Sequence, residues 1–385
     1  MRKLKIISGA DSDKGCMYLL EADGMRIILD TGAFMKDPVH IPDIPSPETV
    51  DMIFISHAHM DHIAKLAPVI ALCKNARVYM TEDTLFFTRF QLSSTIGSYI
   101  GADTRVLQTY NNIMTELVLN RVETVEYHRE YSERSPRGIP YRFCIFDAGH
   151  VPGSAMLYLK IGEFSVFFAS DFCKKQTALT CPADFPKNLF PDCLILCGVH
   201  AAKKDYTVWS DPQASAIRNL AKFRMKSNRI AIHSSQLTKS LELLSLLSEN
   251  IELGDWPISD VYINSELLSL CAAYKQRNPL FSLPKQSYPI ESLDLRRIRE
   301  DRPTIIFDKE GSGLNHSSFE QFVPRYTLHA DYLDLKWAIE ALKPGAVFLT
   351  HVSHNGGAFD EPLTREKFNF KTSVTYTEDG FTYSI

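Results

Sequence analysis

The stretch Met52-Ile53-Phe54-Ile55-Ser56-His57-Ala58-His59-Met60-Asp61-His62 joins an apolar run to four metal-type side chains within six residues. The apolar half reads as a buried strand, and the polar half as the loop that it delivers at its C-terminal end. Three imidazoles and a carboxylate suit zinc, whose preferred donors are histidine nitrogen, cysteine sulfur and carboxylate oxygen at about 2.0–2.3 Å. Adjacent Asp61 and His62 cannot join His57 and His59 around one tetrahedral ion without heavy strain, so the spacing calls for two metals and for further ligands from elsewhere.

Working outward, other apolar runs also end on candidate ligands. Val166-Phe167-Phe168-Ala169 stops at Ser170-Asp171, and Ala346-Val347-Phe348-Leu349-Thr350 stops at His351. With His150 these are the natural suppliers. The expected sites are His57, His59 and His150 on one side and Asp61, His62 and His351 on the other, with Asp171 bridging and an open position at each ion. His354 competes with His351, which is preferred because it directly follows the strand. Met17 to Leu29, broken at Asp23-Gly24, reads as a hairpin ending at Asp30. Leu335, Ala338, Ile339 and Leu342 keep helical spacing behind a cap at Asp331, with Pro344 closing the segment.

The 385 residues suggest two domains, or one domain with an insertion. Hydrophobic residues make up 45% and charged residues 23%, which excludes a disordered or fibrous chain. A formal charge of −4 means that a polyanionic substrate needs a local basic patch. The first residues lack the apolar centre of a signal peptide, and no run reaches the ~18 apolar residues of a membrane span. The eight cysteines form no C-x-x-C pair. They read as reduced thiols, so the expectation is a soluble, cytoplasmic protein without membrane partners. The proline-bearing segment 177–192 is the expected interdomain connection.

The series Leu29-Asp30-Thr31-Gly32, His57-x-His59-x-Asp61-His62, Gly149-His150 and Ser170-Asp171 resembles the metallo-β-lactamase fold. Gly149-His150-Val151-Pro152-Gly153-Ser154-Ala155 is similar to a segment of its β-CASP group, RNA-processing nucleases that include ribonuclease J. Arg229 to Ser235 followed by Ser240 to Leu244 looks like that group's cap. Thr327-Leu328-His329-Ala330-Asp331, Ala341-Leu342-Lys343-Pro344 and Val347-Phe348-Leu349-Thr350-His351 resemble its C-terminal motifs, with His329 matching motif B and His351 motif C. The resemblance implies an α/β architecture: an αββα metallo-β-lactamase sandwich, residues 1–191 and 313–385, with an inserted β-CASP cap domain over 192–312.

The activity implied is phosphodiester hydrolysis of RNA, with DNA as the second candidate. A hydroxide activated by two Zn2+ ions, or Mn2+ in their place, is the expected nucleophile. Asp61 orients it, His329 serves the leaving oxygen or the phosphate, and Asp30 holds the ligand loop from behind. Lys174, Lys175, Lys203, Lys204 and Arg325 are candidate phosphate contacts in an interdomain cleft. The segment 310–318, including Ser312, reads either as backbone N–H groups offered to a terminal phosphate or as a flexible turn. One departure stands out: the position matching the group's motif A acid is Cys197, which places the general-acid step in question. Asp192 lies five residues earlier and does not replace it. A non-catalytic scaffold subunit and a hydrolase of a small phosphodiester are the competing readings. A homodimer or a protein partner is expected to help select substrate.

Overall fold

The structure is a computed structural model that describes residues 2–33, 40–100, 119–202, 212–233, 237–308, 318–322, 327–353 and 361–385. Its first strands are β1 (Lys3–Ser8), β2 (Met17–Ala22) and β3 (Met25–Leu29). β2 and β3 form the expected hairpin, with Tyr18 opposite Leu29 and Ala22 opposite Met25. Asp23 and Gly24 both take positive φ, 46° and 90°, as a tight two-residue hairpin turn demands. β4 (Met52–Phe54), β5 (Arg77–Met80) and β6 (Val122–Thr124) then add in parallel beyond β3.

A second sheet is built from β7 (Tyr131–Arg134), β8 (Pro140–Asp147), β9 (Ala155–Ile161), β10 (Phe164–Ser170) and β11 (Cys193–Cys197). A separate five-stranded sheet, with all neighbours parallel, follows from β12 (Arg229–His233), β13 (Asp260–Ile263), β14 (Ser287–Pro289), β15 (Thr304–Asp308) and β16 (Glu320–Phe322). The chain then returns to complete the first two sheets with β17 (Ala346–Thr350), β18 (Ser373–Tyr376) and β19 (Thr382–Ser384). The finished orders are β19-β1-β2-β3-β4-β5-β6 and β18-β17-β11-β10-β9-β8-β7.

Side-chain alternation explains why these two sheets stack. Val166 and Phe168 of β10 share one buried cluster with Tyr18, Ile27, Leu29 and Phe54 of the first sheet. Phe167 and Ala169, pointing the other way, pack with Leu335, Ala338, Ile339 and Leu342 of the helix Tyr332–Leu342. That helix starts as its sequence predicts, with a capping box between Asp331 and Asp334, and its C-cap Lys343 is left-handed just before Pro344. Ile28, Ile53 and Val78 are also fully buried, so the outer face of the first sheet is covered as well. Each fully buried aliphatic or aromatic side chain contributes about 1.5–3 kcal/mol, so the double-faced β10 anchors the sandwich.

The chain divides into two compact units: Met1–Lys174, Pro182–Val208 and Leu328–Ile385 form one, and Lys175–Cys181 with Trp209–Thr327 the other. The expected boundary at 192 is therefore too early. β11 pairs in parallel with β10 and β17, so its hydrogen bonds hold it in the sandwich. The expected boundary at 312 is also too early, since the second unit runs on to Thr327. Segment 177–192 is not a simple connector either. Glu242 accepts hydrogen bonds from the Thr177 hydroxyl and from the Ala178 and Leu179 N–H groups, which ties that turn to the second unit.

Candidate metal centre

Three strand ends bend sharply into one place. Asp30 after β3, Ser170 at the end of β10 and His351 after β17 have φ of 58°, 50° and 54°. Side chains other than glycine pay about 1–2 kcal/mol for this left-handed backbone, so the surrounding packing must enforce it. Glycine allows the remaining close approach. A Cβ on Gly32 would sit 1.7 Å from the Asp61 carbonyl oxygen, which lets the Asp30-Thr31-Gly32 turn lie against the ligand loop.

Hydrogen bonds behind the loop fix which ring nitrogens face inward. The Ser56 hydroxyl donates to Asp30 Oδ2 at 2.8 Å, leaving its oxygen to accept from the Ser170 hydroxyl and from His57 Nδ1–H at 3.0 Å. His57 Nε2 is thus a lone pair. His150 Nδ1–H donates to the Leu328 carbonyl at 2.7 Å, which makes its Nε2 a lone pair too. These two nitrogens stand 3.2 and 3.1 Å from His59 Nδ1. One proton on His59 can satisfy only one of them.

The second group follows the same rule. His62 Nδ1–H donates to Asp30 Oδ2 at 2.7 Å, and His351 Nδ1–H to Asp171 Oδ1 at 3.2 Å. Their Nε2 atoms lie 3.8 and 3.4 Å from Asp61 Oδ2. Asp171 Oδ2 stands between the groups, 3.3 Å from His62 Nε2, 3.8 Å from His57 Nε2 and 3.9 Å from His150 Nε2. It is buried and makes no hydrogen bond, and neither does His62 Nε2.

Electrostatics agree with this reading. Burial, then the neighbouring imidazoles, hold His57 and His150 well below the usual histidine range, and burial takes His59 down to about 4. Burial also opposes a proton on His62 and His351, but Asp30 and Asp61 beside the first and Asp171 beside the second outweigh it and raise both. His57, His59 and His150 thus offer neutral lone pairs, while the buried carboxylates beside His62 and His351 demand positive charge there. Divalent cations fit this donor set: one among His57, His59 and His150, one among Asp61, His62 and His351, with Asp171 Oδ2 reaching both.

His329 lies at the edge of the centre. Its ring lies 4.6 Å from that of His150, tilted by 42°, its Nδ1 is 3.6 Å from Asp171 Oδ2, and its side chain is 23% exposed. The Lys174 ammonium sits 3.5 Å above the Trp337 ring and 3.8 Å from Asp334 Oδ1. Lys175 belongs to the second unit. Lys203, Lys204, Ser312, Arg325 and His354 lie outside the described residues. Asp192 accepts from the Ser165 N–H and hydroxyl at 2.8 Å and serves the sheet. Sequence reasoning missed three neighbours. Ser56 was hidden only by attention to the histidines beside it. His200, whose ring is 6.2 Å from that of His329, and Cys16, grouped with Cys197 and His351, carry no local signal.

Comparison with known proteins bears on the same residues. Residues 14–123 match the family model described as "Metallo-beta-lactamase superfamily". "Cleavage and polyadenylation specificity factor 73" of Drosophila melanogaster is 28% identical over 281 residues, covering 70% of this chain and 39% of its own length. "Endoribonuclease YSH1" of Gibberella zeae is 26% identical, covering 68% of this chain and 32% of its own. "Endoribonuclease ysh1" of Schizosaccharomyces pombe is 23% identical, covering 97% of this chain and 51% of its own. The chain therefore spans about a third to a half of the length of these curated relatives. A crystal structure of a protein of unknown function from Enterococcus faecalis V583 covers 99% of both chains with a TM-score of 0.58 and 12% identity, a likeness of fold alone. The chain is a metallo-β-lactamase-fold protein related to the β-CASP nucleases.

Proposed function

We propose that this protein is a metal-dependent phosphodiesterase that cleaves RNA, with DNA as the second candidate substrate. The observation that carries the reading is the convergence of two three-residue donor sets on Asp171 Oδ2, buried among their imidazoles. Two divalent cations, zinc or manganese, supply Lewis acidity toward a phosphate oxygen and bring water near its ionised form at neutral pH. The chain's own residues do the rest. Asp30 and Ser56 hold His62 and His57 in their tautomers, and the Leu328 carbonyl does the same for His150. Asp61, on the accessible side of the centre, orients the attacking water. His329 donates a proton or hydrogen bond to the leaving oxygen, and its partial exposure lets it reach substrate. The relatives named as endoribonucleases support RNA over a small ester.

No described helix is long and apolar enough to cross a membrane. Its eight free cysteines accord with a reducing compartment, so a cytoplasmic location belongs to the proposal, as does a homodimer or protein partner for substrate selection.

The test is cleavage of end-labelled single-stranded RNA by zinc- or manganese-loaded protein, with chelator and His59→Ala controls. Cleavage lost in both controls is the expected result. Two bound cations with no cleavage of RNA or DNA would overturn the reading in favour of a small phosphodiester substrate, or of the non-catalytic subunit that Cys197 in place of an acid suggests.

A further inference from the structure

Cys197 does not stand alone. Its Sγ, the Sγ of Cys16 and a ring nitrogen of His351 all lie within 4.8 Å of one another, and all three residues are buried. Cys16 starts the approach to β2 and Cys197 ends β11, so the pair comes from facing sheets. The Cys16 N–H donates to the Asp61 carbonyl at 2.6 Å, which ties this corner to the ligand loop. The Thr350 hydroxyl lies 3.6 Å from Cys197 Sγ. The Tyr18 hydroxyl, 3.3 Å from the Gly9 carbonyl, belongs to the same corner through its interaction with Cys16.

We propose that Cys16, Cys197 and His351 form a sulfur-rich donor set for a thiophilic divalent cation such as cadmium or zinc, alternative to Asp61, His62 and His351. Two thiolates and an imidazole are soft donors of the kind that select such ions over magnesium, calcium or manganese. Bonds of about 2.0–2.3 Å place tetrahedral ligand atoms about 3.3–3.8 Å apart, so closing the set shortens a separation by at most about 1.5 Å, shared between two side chains and within reach of their rotation. Thr350 and Tyr18 supply hydroxyl groups that can hydrogen-bond the sulfurs from behind. Because both sets need His351, an ion in the sulfur set draws that histidine away from Asp61 and His62. Cys197 then has a definite role in the position where the related nucleases carry an acid: it sets which cation the His351 side of the centre accepts. This inference concerns metal identity and does not depend on the substrate.

The experiment is titration of cadmium(II) into the reduced, metal-free full chain, read by sulfur-to-cadmium charge-transfer absorption in the ultraviolet. The expected result is a saturating band that disappears in Cys16→Ser and in Cys197→Ser and survives in Asp61→Asn and in Cys173→Ser. Cadmium that binds without the band, or a band that survives both Cys16→Ser and Cys197→Ser, would overturn the inference while leaving the histidine-carboxylate centre standing. No retained cadmium would overturn both. Wild-type protein that retains cadmium without the band overturns the inference even where a serine variant fails to fold, and residual cadmium on His57, His59 and His150 reports which variants are folded.

Discussion

Asp30 is where the fold and the chemistry can be separated most cleanly. It is fully buried, left-handed, and accepts from the Ser56 N–H at 2.7 Å, the Ser56 hydroxyl at 2.8 Å and His62 Nδ1 at 2.7 Å. Asp30→Ala would strand three buried donors at about 1–3 kcal/mol each, roughly 3–9 kcal/mol in all. A domain's whole stability is about 5–15 kcal/mol, so that variant is expected to be marginal and uninformative. Asp30→Asn is the sharper perturbation. Asparagine tolerates the left-handed backbone and keeps an oxygen for the Ser56 N–H. It puts an NH2 group where Oδ2 had accepted from His62. The ring escapes this donor–donor clash by moving its proton to Nε2, the atom that faces Asp171 Oδ2 at 3.3 Å. A proton there competes directly with a cation. Loss of such an outer partner weakens metal binding by about 10–100-fold, or about 1.4–2.7 kcal/mol. The expected result is that loss at the Asp61, His62 and His351 site, with a smaller effect at the His57 site, one hydrogen bond further away through Ser56. Calorimetric titration of zinc into metal-free protein, in competition with a chelator, measures both. Unchanged affinity at both sites in a folded variant would refute the tautomer argument.

The remaining predictions probe other links. His329→Ala should keep both cations and lose about 10²–10⁴-fold in phosphodiester turnover; undiminished turnover in the metal-replete variant would remove His329 from the chemistry. Gly32→Ala should destabilise the fold by at least roughly 1–3 kcal/mol, the cost of an overpacked site, and so lower the thermal midpoint, because its Cβ would meet the Asp61 carbonyl at 1.7 Å; an unshifted midpoint would show that the loop yields freely. Burial raises Glu242 from 4.5 to about 7 against the three donors that hold it. An acid with a raised folded pKa contributes its full stability below pH 4.5 and loses it as pH rises through 7. The loss is about 3 kcal/mol. Glu242→Gln should flatten that slope in urea unfolding between these limits, and an equally steep slope in the variant would mean another group titrates.

The hairpin, the capped helix and the ligand-bearing strand ends were legible because each depends on neighbours in sequence: a turn dipeptide, a capping residue, an apolar run that stops at a polar one. The contacts of Lys174 were not legible, because Trp337 and Asp334 lie far along the chain. The boundary at 192 was misplaced for a related reason. Cys193 to Cys197 is an apolar run that suits a parallel sheet in either unit, and only its pairing with β10 and β17 assigns it to the sandwich.

Sequence by itself determined the chemistry at hand: which residues can donate to a cation, and that strands deliver them together. Tertiary structure decided how those donors are used. It fixed which nitrogen of His57, His62, His150 and His351 faces inward, through acceptors as remote as Leu328 for His150, and left Asp171 Oδ2 between the two donor groups. It also brought Cys16 and Cys197 to His351. The reason is physical. Residue type sets what a group can bind, but tautomer, lone-pair direction and donor grouping are properties of hydrogen bonds and packing between segments that meet only when the two sheets close.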